Sequence, residues 1–320
     1  MKLPVFKCLD DILKAMPAYN AQDGYHAMYS SIFSGITTDP QLMMIPVDDH
    51  LVHRGDGVFE AFQMLDGRVH LFDAHLNRLG RSANAIELDL RHSHDEIKDI
   101  CQQLIDSCGL RDALFRLYAS RGPGGFTPNP YDSIGPQMYI IVSSLHHPNE
   151  SLYEQGVKVG FSKVAVKSGG MAKVKTCNYI SNVLMTKEAI DAGYDFVINV
   201  TDDGYLGEGA TENMVFLTPE NDLIFSSFDH TLRGTTLLRL QELSGELVNL
   251  GLIREMKESK QKVAQLMDAK EAFMIGTSLN ALPISEVAGK LIGDGKPGKV
   301  STAARNLLRE DQKVGGHCLI

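Results

Sequence analysis

Apolar and polar positions along the chain recur with two periods, and the switches between them mark the elements. Val58–Leu65 and Arg68–Phe72 are strand-like runs around Asp66-Gly67, which predicts a β-hairpin. Asp73 can cap a following helix through Ala85, because Leu76, Leu79, Ala83 and Ile86 then share one face. A second helical pattern covers Asp95–Cys108, and strands are predicted at Ala113–Ser120 and Gln137–Ser144. Beyond these come a strand at Val157–Val166, a helix at Ile180–Ala192 and a strand at Phe196–Val200. Asp202-Asp203-Gly204 makes a hairpin turn toward a partner strand through Glu212–Thr218. A helix at Thr236–Asn249, a strand at Ala272–Gly276 and a helix at about Thr302–Glu310 complete the pattern. Strands and helices mix without strict alternation, so the fold class expected is α+β.

Two domains fit a chain of 320 residues. Residues 1–40 hold one short amphipathic helical pattern and a Tyr/Ser/Gly-rich stretch, and are expected to form a peripheral extension. A small α+β domain is expected over 41–148, a polar linker over 149–156 and a larger domain over 157–320. With 22% charged residues and a net charge of −9, and without a Lys/Arg stripe, nucleic acid and anionic membranes are poor candidate partners. No apolar run is long enough to cross a bilayer, and the N-terminus lacks a signal peptide's apolar stretch. The five cysteines have no paired spacing, which suggests free thiols in a reducing, cytoplasmic setting.

The chain has no Gly-x-Gly-x-x-Gly after a strand, no Walker A sequence and no His-Glu-x-x-His. Gly122-Pro-Gly124-Gly125 reads as a plain turn, and His146-His147 would face opposite ways on a strand, which argues against a metal pair. Five segments remain. They are His50-Leu-Val-His53-Arg-Gly-Asp-Gly-Val-Phe59-Glu60 with His75-Leu-Asn-Arg78-Leu, then Lys173-Val-Lys175-Thr-Cys-Asn178-Tyr179, and then Gly207-Glu208-Gly-Ala-Thr-Glu-Asn213. Arg233-Gly-Thr235-Thr236 and Gly276-Thr277-Ser278 follow. Taken singly, each has an ordinary structural reading: a solvated lysine, a helix-surface arginine, a hairpin glutamate, a helix cap.

Together and in this order, from about His50 to Pro283, they resemble the fold-type IV family of pyridoxal-phosphate enzymes. That family holds branched-chain and D-amino-acid aminotransferases and aminodeoxychorismate lyases. The resemblance implies a two-domain D-amino-acid-aminotransferase-like fold, a pyridoxal 5'-phosphate cofactor and a homodimer. It matches Lys175 to the lysine that carries the cofactor as a Schiff base and moves a proton between Cα and C4′. Lys173 is the rival, at a distance from Asn178-Tyr179 that fits less well; the branched-chain enzymes place this lysine one residue further from Asn-Tyr than Lys175 stands. The same resemblance matches Glu208 to the carboxylate that keeps the ring nitrogen protonated, with Glu212 close by. Arg78 takes the phosphate-binding position, Gly234, Thr235, Thr236 and Thr277 offer further donors, and Tyr179 is matched to the phenolic oxygen. Phe59, Arg116, Arg121, Gly276 and Ser278 are matched to the substrate side.

Phe59 replaces the tyrosine usual in the D-amino-acid enzymes, and Arg54 replaces the tyrosine usual in the branched-chain enzymes. Substrate and enantiomer therefore stay open. The activity implied is ping-pong transfer of an amino group from an amino acid to a 2-oxo acid. A lyase-type elimination that releases pyruvate is the alternative chemistry, and an inactive binding protein on the same fold is the alternative class.

Overall fold

The computed structural model describes residues 3–17, 20–167 and 169–320. Two sheets form, each with helices against it. The first is wholly antiparallel. In chain order its strands are β1 (Tyr25–Ser30), β2 (Gly35–Thr37), β3 (Gly57–Leu65), β4 (Arg68–Val69), β5 (Ala113–Ser120) and β6 (Gln137–Ser143). They lie in the order β4-β3-β5-β6-β1-β2. The second is mixed, built from β7 (Val157–Phe161), β8 (Phe196–Ile198), β9 (Asn213–Leu217), β10 (Asp222–Ser226), β11 (Glu255–Ser259), β12 (Glu271–Gly276) and β13 (Asn280–Val287). Here the order is β11-β10-β9-β12-β13-β7-β8, and β14 (Lys290–Leu291) forms a hairpin with β13. The last strand, β15 (His317–Cys318), returns to the first sheet and pairs with β4.

Nine helices occur among the described residues: α1 (Leu9–Ala15), α2 (His50–Arg54), α3 (Phe72–Ala85), α4 (His94–Cys108), α5 (Glu150–Gln155), α6 (Ile180–Ala192), α7 (Thr235–Asn249), α8 (Val263–Met267) and α9 (Lys299–Val314). Helices α3 and α4 bury Leu76, Leu79, Ile97 and Leu104 against Phe62 and Phe115 of the first sheet. The second sheet is covered on both faces. Along β9, Met214 and Phe216 join one core while Val215 and Leu217 join another under α7 and α9. Two-sided burial explains why these strands read as continuous apolar runs.

The mixed α+β architecture matches the expectation, with several local differences. The supposed extension is partly sheet: β1 pairs with β6 and buries Ala27 and Met28. The start of α3 is Phe72, preceded by Leu71 in the left-handed region at φ 54°, so Asp73 lies inside the first turn and caps nothing. The polar segment before Gly156 contains α5, which buries Tyr153. After Asp202-Asp203-Gly204 the return path makes only the Val200–Leu206 bridge, and β9 runs between β10 and β12 rather than beside β8. Non-local pairing decided that choice. β13 escapes a sequence reading because of Pro283. Pairing with β7 begins only at Ile284, so the missing proline N–H interrupts no ladder there.

Candidate active site

The N-terminal half of β3 has β5 on one side and an open edge on the other, because β4 reaches only Met64 and Leu65. The segment carrying Lys175 fills that edge. Phe59 N–H donates to the Lys175 carbonyl at 3.0 Å, and Cys177 N–H donates to Gly57 at 2.9 Å. Ser82 of α3 accepts from the Lys175 N–H at 3.1 Å. Three backbone anchors thus aim one side chain into a cavity of about 290 Å³ between the sheets. Lys175 is buried there and Lys173 is exposed, so the local fold separates the two candidate lysines. Burial, reinforced by the Arg78 charge, lowers the Lys175 amine to about 8 against the pull of Glu60 and Glu208. Its Nζ lies 4.5 Å from the Phe59 ring centre and 5.8 Å from that of Tyr179.

One end of the cavity is a closed polar network. Arg78 donates from Nε and Nη2 to the two carboxylate oxygens of Glu60, both at 2.7 Å, in a two-bond fork. His75 shares a 2.8 Å bond with Glu60 through Nδ1, and its Nε2 lies 3.3 Å from the Thr235 hydroxyl. Residues 75 and 78 sit three apart on α3 and so share a face. Burial opposes ionisation of Glu60, yet the Arg78 charge and its bonds, with those of His75, hold that carboxyl down at about 2. Burial likewise lowers His75. The third Arg78 nitrogen, Nη1, reaches the Arg233 carbonyl at 3.3 Å.

Thr235 and Thr236 begin α7 at the same end. Gly234 is the N-cap and offers no side-chain bond, so the first N–H groups of α7 have no side-chain acceptor although both threonines are buried. A Cβ at Gly234 would overlap Oδ1 of Asn213, which excludes larger residues.

Two glutamates also line the cavity. Glu208 accepts the Leu232 N–H at 2.8 Å and the Asn213 amide at 3.4 Å, and desolvation pushes its carboxyl up to about 7. Glu212 is also raised by burial, but both its oxygens are engaged by the hydroxyl and N–H of Thr211. Tyr179 packs edge-on against Phe59 with ring centres 5.1 Å apart, and burial raises its hydroxyl. Arg116, Gly276, Thr277 and Ser278 complete this part of the lining, and Arg116 donates to Ser143 Oγ at 2.7 Å. Arg121 is not brought to this cavity. Its guanidinium binds Asp56 twice and the carbonyls of Ile86 and Glu87, so every arm is already occupied.

A sequence model of "Amino-transferase class IV" matches residues 57–287. Among known proteins the chain is 36% identical over 290 residues to a D-amino-acid transaminase, chloroplastic, of Arabidopsis thaliana, covering 90% of this chain and 77% of that one. It is 27% identical to a D-alanine aminotransferase of Bacillus licheniformis, covering 88% and 99% of the two chains. Among solved structures, the Escherichia coli branched-chain amino acid aminotransferase superposes with a TM-score of 0.82 at 25% identity, covering 89% and 94%. The chain belongs to the class IV aminotransferases. It is a pyridoxal-phosphate-dependent transaminase.

The cavity of this aminotransferase fits its cofactor on physical grounds. A phosphate needs donors with no competing acceptor, which the uncapped start of α7 supplies beside Arg78. A carbonyl carbon needs an amine that can lose its charge, and burial makes Lys175 such an amine. Glu60 and His75 stand inside two of the sequence motifs without a role that the motifs assign; the structure bonds Glu60 to both Arg78 and His75. A glutamate inside an otherwise apolar strand was the available signal, since a buried charge demands a partner. Lys167 and Asn182 also line the cavity, with Lys167 Nζ donating to Asn182 Oδ1 at 2.8 Å. No motif marked them.

Proposed function

We propose that this transaminase moves amino groups between an amino acid and a 2-oxo acid by a ping-pong mechanism, with a D-amino acid as the donor. The observation that carries the reading is one buried, readily neutralised amine, Lys175, sharing a cavity with Arg78, the uncapped start of α7 and the carboxylates of Glu208 and Glu212. Bound pyridoxal phosphate supplies the electron sink for negative charge at the substrate Cα. Lys175 would hold the cofactor at rest, then carry the proton from the substrate Cα to C4′, and in the opposite direction in the second half-reaction. Glu208 keeps the ring nitrogen protonated. Arg78, braced by Glu60, together with Gly234, Thr235, Thr236 and Thr277, holds the phosphate. Tyr179 donates to the phenolic oxygen. Phe59, Gly276 and Ser278 bound the substrate space, and Arg116 binds a carboxylate.

D-amino acids are favoured because the 36% identical relative bears that name, whereas relatives named branched-chain aminotransferases are 26–28% identical. The working form is a homodimer: α6 exposes Ile180, Val183 and Leu184 on one face beside Tyr179, and Phe126 and Tyr131 stand exposed on the first domain. No helix among the described residues is long and apolar enough to cross a membrane. Five free cysteines suit a reducing, cytoplasmic setting, although one relative is named chloroplastic.

The test is the absorbance of the purified holoenzyme. A D-amino acid alone should bleach the cofactor band, and 2-oxoglutarate or pyruvate should restore it. Bleaching by L-branched-chain amino acids only would overturn the donor assignment. Pyruvate release from aminodeoxychorismate, with no response to any amino acid, would replace the transamination reading by the lyase one.

A further inference from the structure

A second cavity, of about 300 Å³, lies where the two sheets' domains meet on the far side of the Ser278–Asn280 turn. Its wall combines Arg68 of β4 with Arg305, Arg309 and Lys313 of α9. Against these four cations stand two carboxylates, Asp66 and Glu150. Asp66 is engaged by Arg111, at 2.6 Å, and Glu150 is held by Arg305 at 2.7 Å with Arg309 only at 4.0 Å. Lys313 is held by Glu310 at 2.6 Å, so Arg68 and Arg309 are the two cations of the wall without a close carboxylate among the described residues. The Nε of Arg305 is buried without a hydrogen-bond partner among the described residues, and its guanidinium carbon lies 3.5 Å from the Tyr153 ring centre. At the floor, Asn280 and Gln312 are buried and bond mainly to each other, Gln312 donating to Asn280 at 2.7 Å. A cavity with surplus positive charge, an unpartnered buried guanidinium N–H and a buried amide floor is built to receive a small anion.

The same cavity is wired to the active site through backbone carbonyls. Tyr153 donates its hydroxyl to the Leu279 carbonyl at 2.7 Å, and His147 Nδ1 lies 3.3 Å from the Ser278 carbonyl. Ser278 and Leu279 line the active-site cavity on the other face of that turn, whereas Tyr153 and His147 line the second cavity. Asn280, the next residue, sits in the left-handed region at φ 53° and pairs with Gln312.

We propose that this second cavity is an effector site for a small dianion, a dicarboxylate or a phosphate, whose binding fixes the Ser278–Asn280 turn and so changes the KM for the amino-acid substrate. Arg68 and Arg309 supply the charge, Arg305 the directed donor, and Tyr153 the link to the turn. An anion that draws Arg305 and Arg309 toward itself loads Tyr153 through the stacked guanidinium.

The test uses the holoenzyme, in which the phosphate end of the active site is already filled by the cofactor. Inorganic phosphate and malonate are titrated separately by calorimetry at constant ionic strength set with chloride, and the KM for the substrate is measured across the same series. Saturable binding of one of the two, with a KM shift of twofold or more that chloride does not reproduce, is expected. Arg68→Ala/Arg309→Ala, both on accessible side chains, should weaken that binding tenfold or more and remove the shift while leaving kcat and thermal midpoint unchanged. Tyr153→Phe should keep the binding and lose the KM response. Absence of saturable binding, or binding undiminished in the double variant, overturns the site. Binding with no KM response in the unaltered enzyme overturns the effector role.

Discussion

Around the active-site cavity, Glu60, Arg78 and His75 form one group and satisfy one another's charge; Lys175, Lys167, Glu208 and Glu212 form another and share no ion pair among the described residues. Glu60, His75 and Arg78 are buried, and so are Lys175 and Glu212, so desolvation does not distinguish the two groups. The partners do. Where a carboxylate is forked by a guanidinium, its ionised form persists to about pH 2, and the charge state is fixed across the physiological range. Where buried groups have no ion-pair partner, desolvation prevails, bringing the Lys175 amine down to about 8 and the Glu208 carboxyl up to about 7. The first arrangement suits holding a constant charge, a phosphate. The second suits groups that must exchange protons during turnover.

Removing the titratable amine should break the contrast most severely. Lys175→Ala is expected to lower kcat by about 10⁴-fold or more, the loss of a nucleophile and proton carrier together, and to abolish the cofactor's protein-bound absorbance band. Lys173→Ala should stay within about twofold, as exposed lysines do. Borohydride trapping followed by peptide mapping checks the site directly, and cofactor found on Lys173 would refute the assignment.

Next in size is the closed network. Glu60→Gln leaves a buried guanidinium without its counter-charge, a change that costs about 3–5 kcal/mol in comparable buried pairs. Urea unfolding of the cofactor-free protein should register it. The pH dependence has a definite sign: Glu60 is depressed in the fold, so its contribution is full above about pH 4.5 and is lost as pH falls toward about 2. Acid unfolding of Glu60→Gln should lack that component; an unaltered acid limb would mean that Arg78 is not held this way.

Glu208→Gln should keep the cofactor within a few-fold in affinity yet lower single-turnover rates by about 10²–10³, because a neutral amide cannot hold the ring nitrogen protonated. The corresponding Glu212→Gln change should be milder, since Thr211 already occupies both oxygens. A reversed order would exchange the two roles.

The smallest effect expected sharpens the boundary of the site. Arg116→Leu should raise the substrate KM about tenfold with kcat little changed, whereas Arg121→Leu should lower thermal stability without a selective KM effect in a single chain's cavity. An Arg121 variant that raised KM selectively would show that the guanidinium leaves Asp56 when substrate binds.

Much of this could be read in the residues alone. Helical spacing located α3, α4, α6 and α7 to within a residue or two, because their cores depend on period and not on distant partners. The motif order pointed to Lys175, Glu208, Arg78 and the Thr235-Thr236 helix start, and all of them line one cavity. Other features depended on contacts far along the chain. The cap of α9 is Glu271, whose carboxylate accepts from Val300 and Ser301, 29 and 30 residues away, and no local pattern could have shown it. Lys167 reaches the cavity from an unpatterned loop, and Arg121 turns away because Asp56 lies within reach at 3.1 Å.

By itself, the sequence determined the fold class, the family and which side chains bring chemistry, since periodicity and motif order are local properties of the chain. The tertiary structure decided which lysine is buried, which carboxylate is spent on a neighbour and which keeps a perturbed proton affinity. Those outcomes follow from desolvation and from partners brought together across the open edge of β3, and charge in a protein takes its value from surroundings that only folding assembles.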